Sequence, residues 1–244
     1  MTSKVNAIFV LIGINVALFL LSSVDRGMEG MMFDALALYF PMNPNFGVWQ
    51  FLTNMFMHAG FTHILFNMYA LWAFGTPLLK MWGDKRFLSF YLLAGLGAGV
   101  IYTLVNYVEF NAVSADLVQM GISSDEIQHF LQSGQSSATR VSDDVAQAMR
   151  KLSHLYRVPA VGASGAIYGV LVAFGISFPN AKLALLFFPV PIAAKYFIPV
   201  LIAMDLFSGV TGVSIFGGGI AHFAHIGGAA IGFLLMWLWR SRTN

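Results

Sequence analysis

Residues 206–239 read LFSGVTGVSIFGGGIAHFAHIGGAAIGFLLMWLW and contain no Asp, Glu, Lys or Arg. A helix crosses a bilayer core with about 20 apolar residues, and in lipid its backbone groups must be satisfied within the helix. The stretch therefore predicts a transmembrane helix, placed at about 217–239. It also contains His222 and His225, and ionisable side chains inside a membrane usually have a function.

Similar charge-free windows recur along the chain, which is 58% hydrophobic and 10% charged. An ordinary soluble domain has about 25% charged residues. The first window lacks a small-residue cleavage site after it, so it is interpreted as a retained helix and not a signal peptide. The sequence predicts an all-α polytopic membrane protein, one domain over 1–244, with transmembrane helices at roughly 5–23, 60–80, 87–108, 159–177, 195–211 and 217–239.

The charges between these helices predict the orientation. One side of the predicted bundle carries both termini and a single acid, Asp84, while most acids fall on the other side. By the positive-inside rule, both termini are predicted to be cytoplasmic, and we expect the inner (cell) membrane of a bacterium. The basic residues on that side are Lys4, Lys80, Lys85, Arg86, Lys182, Lys195, Arg240 and Arg242.

Three segments outside the predicted spans have distinct compositions. The segment 24–59 is rich in Met, Phe and Pro, which favours a position in the membrane interface. The insert 109–158 is polar, with apolar residues from Val145 to Tyr156 at helical spacing, which predicts an amphipathic helix on the membrane surface or on the domain. Leu183–Ile192 is apolar but too short to span, and is expected to lie in the interface.

Polar side chains on three predicted helices fall in one slab of the membrane. Counted from the basic ends of the helices at about 1.5 Å per residue, His63 lies about 25 Å up, Asn67 about 20 Å, Ser164 about 27 Å and His225 about 22 Å. Independent structural polar residues need not coincide in this way. The coincidence indicates a single site.

These residue types suit acyl transfer. Serine needs an adjacent base to become a nucleophile, and histidine can take the Ser164 proton and later give it to a leaving amine. His63 and Asn67 share a helix face and carry N–H donors for an oxyanion, as does the Ser164 backbone. Asp205, the one intramembrane acid, is expected to be a local partner or gate element. Spacing alone does not choose between His222 and His225 as the base.

Small residues flank these side chains. In Gly162-Ala163-Ser164-Gly165 the glycines leave room for a substrate backbone, although this is not the Gly-x-Ser-x-Gly elbow because position 166 is Ala. Gly228 and Gly232 form a small-xxx-small face. That face is predicted to let the last helix approach the fourth and to bring His225 to Ser164.

Taken together and in order, these motifs resemble the rhomboid family of intramembrane serine proteases. The residues that carry the resemblance are His58, His63-Ile64-Leu65-Phe66-Asn67, Gly162-Ala163-Ser164-Gly165, Tyr168, Ala224-His225-Ile226-Gly227-Gly228 and Gly232. The resemblance covers nearly the whole chain apart from 109–158, and it implies a six-helix rhomboid bundle.

The resemblance also implies roles. Ser164 and His225 would form a dyad without an acid, His63 and Asn67 would stabilise the oxyanion, and Tyr168 would stack on His225 and orient it. The substrates implied are transmembrane proteins in the lipid bilayer, with helix five, the 205–216 loop and the 24–59 segment as gate, cap and anchor. No cofactor, metal or nucleic acid is expected.

One departure concerns the first loop. Many relatives carry Trp-Arg there, whereas here Trp49 is followed by Gln50. This puts the polar anchoring of the loop in doubt, but not the chemistry.

Two other function classes suit a bundle with intramembrane histidines. A histidine-lined bundle could bind a metal or transport cations, but the chain has no His-Glu-x-x-His motif and no intramembrane Glu. A catalytically silent rhomboid-like binder or chaperone of transmembrane segments is the stronger alternative. Such relatives usually lose the serine or the histidine, and here Ser164 and His225 are both present.

Overall fold

The computed structural model describes residues 6–134, 142–185, 188–213 and 221–240. Most of the described residues lie in helices, and a short 3₁₀ turn follows the third helix. The elements are α1 Ala7–Ser22, α2 Arg26–Leu36, α3 Gln50–Thr53, the 3₁₀ turn Asn54–Phe56, α4 Phe61–Trp82, α5 Asp84–Gln119, α6 Ser124–Ser133, α7 Asp143–Arg157, α8 Ser164–Ser177, β1 Lys182–Leu185, β2 Phe188–Ala193, α9 Ala194–Thr211 and α10 His222–Arg240.

The predicted spans correspond to α1, α4, α5, α8, α9 and α10. Three of the described helices, α5, α9 and α10, are long and apolar enough to cross a membrane, and α1 and α8 are shorter apolar helices. The membrane character of the chain is therefore supported, while the number of six spans stays a prediction. The predicted start of the last span, 217–220, and part of the predicted 205–216 cap lie outside the described residues.

Helix α5 is much longer than predicted. It continues to Gln119 instead of ending at 108, a length of about 54 Å, nearly twice a bilayer core. The added turns have an apolar face because Phe110, Val113 and Leu117 are buried in a cluster that α6 and α7 complete. From the sequence this region is predicted only to be polar, because its few apolar residues alternate with polar and charged ones.

The insert packs on this extension of α5. Helix α7 coincides with the predicted amphipathic helix and buries Val145, Met149 and Leu152. It therefore rests on the domain, one of the two predicted alternatives. Helix α6 was not predicted, and the Arg157 guanidinium donates a hydrogen bond of 2.7 Å to the carbonyl of Leu131 near its end.

Gln50 anchors the first loop in place of the expected arginine. Its side chain is fully buried, at 0% exposure. Its amide nitrogen donates to the carbonyls of Asn45 and Asp34 at 2.7 and 3.2 Å, and its oxygen accepts from the Tyr39 N–H at 3.2 Å. The neutral amide thus satisfies backbone groups that would otherwise be buried unpaired. The first loop therefore has a polar anchor although it lacks the arginine.

Between α8 and α9, strands β1 and β2 pair antiparallel. Lys182 pairs with Ala193, Leu183 with Ile192 and Leu185 with Phe188. The sequence predicted only an apolar interfacial segment at Leu183–Ile192, so the all-α description is supplemented by this small sheet.

Helix α8 lies at the centre of the apolar core and contacts α10 without intervening side chains. A Cβ on Gly228 would lie 1.8 Å from the carbonyl oxygen of Gly165, and one on Gly232 would lie 2.5 Å from Cα of Gly169. Real Cβ contacts are essentially never shorter than 3.0 Å. The two backbones meet at these glycines, which is the close packing that the sequence predicts.

Candidate active site

Helix α8 begins at Ser164 and not at 159 as predicted. Before it, Ala160 pairs with Leu38 as an isolated β-bridge, and the Gly162 N–H donates to the Asn54 carbonyl at 2.9 Å. Gly162 has φ of +125°, a backbone conformation that favours glycine. No side chain caps the helix, so N–H groups of its first turn have no helical partner and carry the positive end of its dipole.

The Ser164 hydroxyl meets the imidazole of His225 from α10. Oγ of Ser164 lies 2.8 Å from Nε2 of His225, a normal hydrogen-bond distance. The histidine side chain is 13% exposed, so the pair is largely screened from solvent. In this geometry an unprotonated Nε2 can take the proton of the hydroxyl as the oxygen attacks a carbonyl.

Tyr168, one turn after Ser164, lies flat against the same imidazole. The two ring centroids are 4.2 Å apart with an interplanar angle of 13°. This is the stacking that the family resemblance implied. The Tyr168 hydroxyl also donates a hydrogen bond to Oδ2 of Asp205, which restricts rotation of its ring.

Asp205 of α9 lies beside both histidines, which differs from the expectation that no acid accompanies the dyad. Its carboxylate oxygens are each 3.3 Å from Nδ1 of His225, and Oδ1 is 2.5 Å from Nδ1 of His222. The residue is 1% exposed. The signal in the sequence was its status as the one acid in a predicted span, but its neighbours depend on how α9 packs against α8 and α10.

The structure distinguishes His222 from His225, which sequence spacing alone does not. Only His225 reaches Ser164 among the described hydrogen bonds, while His222 contacts Asp205. His225 is therefore the histidine in contact with Ser164, and its role as the base stays a prediction.

The two residues predicted to bind the oxyanion are placed differently. His63 lies at the site, because a Cβ built on Gly162 would be 2.8 Å from its Nε2 and 3.6 Å from Oγ of Ser164. Asn67 is buried and its amide donates to the His63 carbonyl at 3.0 Å. Within the described residues it makes no hydrogen bond to Ser164, so its predicted role stays a prediction.

Gly165 does not have the place that the sequence predicts for it, next to a substrate backbone. Its open side faces Ala98 of α5, where an added Cβ would come within 2.7 Å, and the carbonyl of Ala224, at 3.5 Å. Gly165 is therefore a helix-packing residue and does not leave room for a substrate backbone. Gly162 borders the site itself, with the His63 ring against it.

Comparison with known proteins gives one consistent result. A family model described as "Rhomboid domain" matches residues 45–242. Rhomboid protein 1, mitochondrial, of Saccharomyces cerevisiae is 28% identical over 97% of this chain and 54% of its own length. The presenilin-associated rhomboid-like protein, mitochondrial, of Rattus norvegicus is 29% identical over 80% of this chain and 39% of its own length. RHOMBOID-like protein 12, mitochondrial, of Arabidopsis thaliana is 29% identical over 74% and 43%.

The chain thus spans about half or less of the length of these relatives. Their names also correct the predicted location. Similar proteins from yeast, an animal and a plant are all named as mitochondrial, which points to a mitochondrial and not a bacterial membrane. The prediction of a bacterial inner membrane is wrong. The prediction that both termini are cytoplasmic was part of the same location and is wrong with it.

The family match extends from the first loop to the end of α10, well over half of the chain. It includes Ser164, Tyr168 and His225, which the fold brings into contact. The chain belongs to the rhomboid family.

Proposed function

We propose that this protein is an intramembrane serine endopeptidase that hydrolyses peptide bonds in or near the transmembrane segments of other membrane proteins. The observation that supports this most strongly is the 2.8 Å contact between Oγ of Ser164 and Nε2 of His225. The pair joins α8 to α10 inside an apolar bundle, where a serine and a histidine have no need to meet for stability alone.

The proposed reaction follows from the two side chains. Oγ of Ser164 attacks the scissile carbonyl carbon while its proton passes to Nε2 of His225, giving a tetrahedral oxyanion and an imidazolium. Collapse of this intermediate breaks the C–N bond, and the imidazolium gives its proton to the leaving amine. Water then adds to the acyl-enzyme with His225 again as base, which releases the carboxylic acid and restores the serine.

The oxyanion has candidate donors on two elements. The uncapped N-terminus of α8 offers backbone N–H groups beside the hydroxyl. The His63 ring lies across Gly162 from the same oxygen. Preorganised donors of this kind contribute about 3–4 kcal/mol each to the transition state. Asn67, one turn further along α4, is the remaining predicted donor.

Transmembrane segments are the substrate class that suits the surroundings of the pair. Helix α9, next to the site, exposes apolar side chains at Phe207 and Val210, 52% and 72% exposed. An apolar surface of this kind faces lipid in a membrane protein, so substrates that reach the site by lateral diffusion are themselves membrane-embedded.

A cleavage assay tests the proposal. Purified protein in proteoliposomes is incubated with a fluorescent single-span substrate, alongside Ser164→Ala and the matched control Ser177→Ala, the same change at the other end of α8. Wild type and Ser177→Ala are expected to give the same product, and Ser164→Ala none above background. Equal product from Ser164→Ala would refute the proposal. Binding of the substrate without cleavage by the wild type would also refute it, in favour of the silent binder.

A further inference from the structure

Three side chains from two helices contact Asp205, and the inference drawn from them rests on the function proposed above. The Tyr168 hydroxyl of α8 donates to Oδ2. His222 of α10 lies 2.5 Å from Oδ1, and His225 of α10 lies 3.3 Å from both oxygens. A carboxylate that is 1% exposed is costly unless such partners surround it. The carboxylate therefore has a defined position.

The position of the carboxylate determines which nitrogen of His225 carries the proton. An ionised carboxylate only accepts hydrogen bonds, so Nδ1 of His225, which faces it, carries the hydrogen of the neutral ring. Nε2 is then the nitrogen with a free lone pair, and it is the one 2.8 Å from Ser164. The opposite tautomer would place a lone pair against the carboxylate and an N–H toward the hydroxyl, where it cannot act as base.

We propose that Asp205 is a positioning residue for the reaction: it fixes the Nδ1–H tautomer of His225 and stabilises the imidazolium formed when the Ser164 proton moves to Nε2. The arrangement is therefore a Ser164–His225–Asp205 triad in geometry. The carboxylate stays ionised throughout. The proton travels from Oγ to Nε2 and from there to the leaving amine, so Asp205 neither gains nor loses one.

His222 has a supporting place in this arrangement. It contacts the same Oδ1 atom but makes no described hydrogen bond to Ser164, so it holds the carboxylate without contacting the nucleophile. A matched control outside this arrangement is Asp116→Asn, the same change at an exposed position on α5.

The kinetic test compares Asp205→Asn and the control Asp116→Asn with the wild type in the proteoliposome assay. Asparagine preserves the shape of the side chain but removes the charge, whichever way its amide is turned. We expect kcat to fall by about 10²–10⁴-fold, since loss of such a carboxylate costs up to about 10⁴ in a soluble serine protease. KM should stay within about threefold, and Asp116→Asn should match the wild-type kcat within about twofold. A kcat within threefold of wild type in Asp205→Asn would overturn the proposal.

A spectroscopic test reads the tautomer directly. The chain has 6 histidines, and ¹⁵N-histidine NMR in micelles separates Nδ1–H from Nε2–H rings, with the His225 signals assigned by their loss in His225→Gln. We expect the Nδ1–H tautomer in the wild type, and an Nε2–H tautomer in the wild type would overturn the proposal even if Asp205→Asn fails to fold. This reading does not depend on cleavage. An inactive wild type with the Nδ1–H tautomer would refute the protease function and leave in place only the assignment that Asp205 fixes the tautomer of His225.

Discussion

Adding one methyl group at Gly228 is predicted to separate the two halves of the site. In the wild type, the α10 backbone at Gly228 touches the carbonyl of Gly165, one residue after Ser164. The Cβ of Gly228→Ala would lie 1.8 Å from that oxygen, whereas ordinary contact begins at 3.4 Å. The position of the Cβ is fixed by the backbone of α10 and that of the carbonyl by the backbone of α8, so neither can rotate away. The helices must therefore move apart by about 1.6 Å, because packed interiors have no spare volume.

The displacement acts on the hydrogen bond between Ser164 and His225. His225 precedes Gly228 by one turn, so an outward shift of α10 carries it along. A bond of 2.8 Å lengthened by more than 1 Å is lost, and a misplacement of about 1 Å costs about 10²-fold in rate. We expect the cleavage rate to fall at least about 100-fold. Overpacking should also lower the free energy of unfolding by about 1–3 kcal/mol.

The assay measures cleavage in proteoliposomes and unfolding by tryptophan fluorescence on the same preparations. Gly13→Ala is the matched control, because Gly13 lies within α1 and an added Cβ there meets nothing within 4 Å. It should retain the wild-type rate within about twofold. Folded Gly228→Ala protein that cleaves at more than a third of the wild-type rate would refute the reasoning from helix packing.

Three further predictions concern the first loop and the insert. Gln50→Ala should lower the free energy of unfolding by about 2–4 kcal/mol, since it leaves buried backbone groups unpaired, and an unchanged denaturant midpoint would contradict this. Burial, aided by the neighbouring His63, lowers the pKa of His58, which precedes α4, from 6.5 to about 3. The unfolded chain then binds more protons between these values, so stability should fall as pH drops from 6.5 toward 3; His58→Gln should flatten this part of the pH profile, and an identical slope would argue against it. Leu152→Ala, at a side chain with 0% exposure, should destabilise the insert by about 2–5 kcal/mol, detected as faster proteolysis within 109–158, while cleavage stays within about twofold of wild type; a large loss of cleavage would show that the insert supports the site.

The sequence locates helices well where lipid alone decides them. The charge-free windows place α1, α4 and α9 to within a few residues, because apolar length is what a bilayer requires. It places α5 less well. The end of α5 at Gln119 depends on the cluster with α7, a tertiary contact that composition does not report.

For the site as well, the sequence predicts what one helix determines and misses what the packing of several helices determines. The depth of a residue in the membrane depends only on its position along its own helix. The sequence could therefore predict that Ser164, His225 and His63 lie at similar depths. The partners of Asp205 are a property of three helices packed together, so the sequence could single out this acid as unusual but not place it against His225. The same holds for Gly165, whose open side is defined by Ala98 on another helix.

Gln50 shows how a departure from a family pattern is resolved by chemistry. From the sequence, the absence of an arginine after Trp49 puts the polar anchoring of the first loop in doubt. The side chain that replaces it satisfies two carbonyls and one N–H. Hydrogen-bonding capacity is retained although the charge is not.

In the proposed reaction, Ser164 is a nucleophile because His225 accepts its proton. The most direct measurement is mass spectrometry of the folded protein after treatment with a fluorophosphonate, which locates the adduct and gives its rate of formation. We predict an adduct on Ser164 in the wild type, with a rate at least about 100-fold lower in His225→Gln. An unmodified Ser164 in the wild type, or equal rates in the two proteins, would contradict the claim.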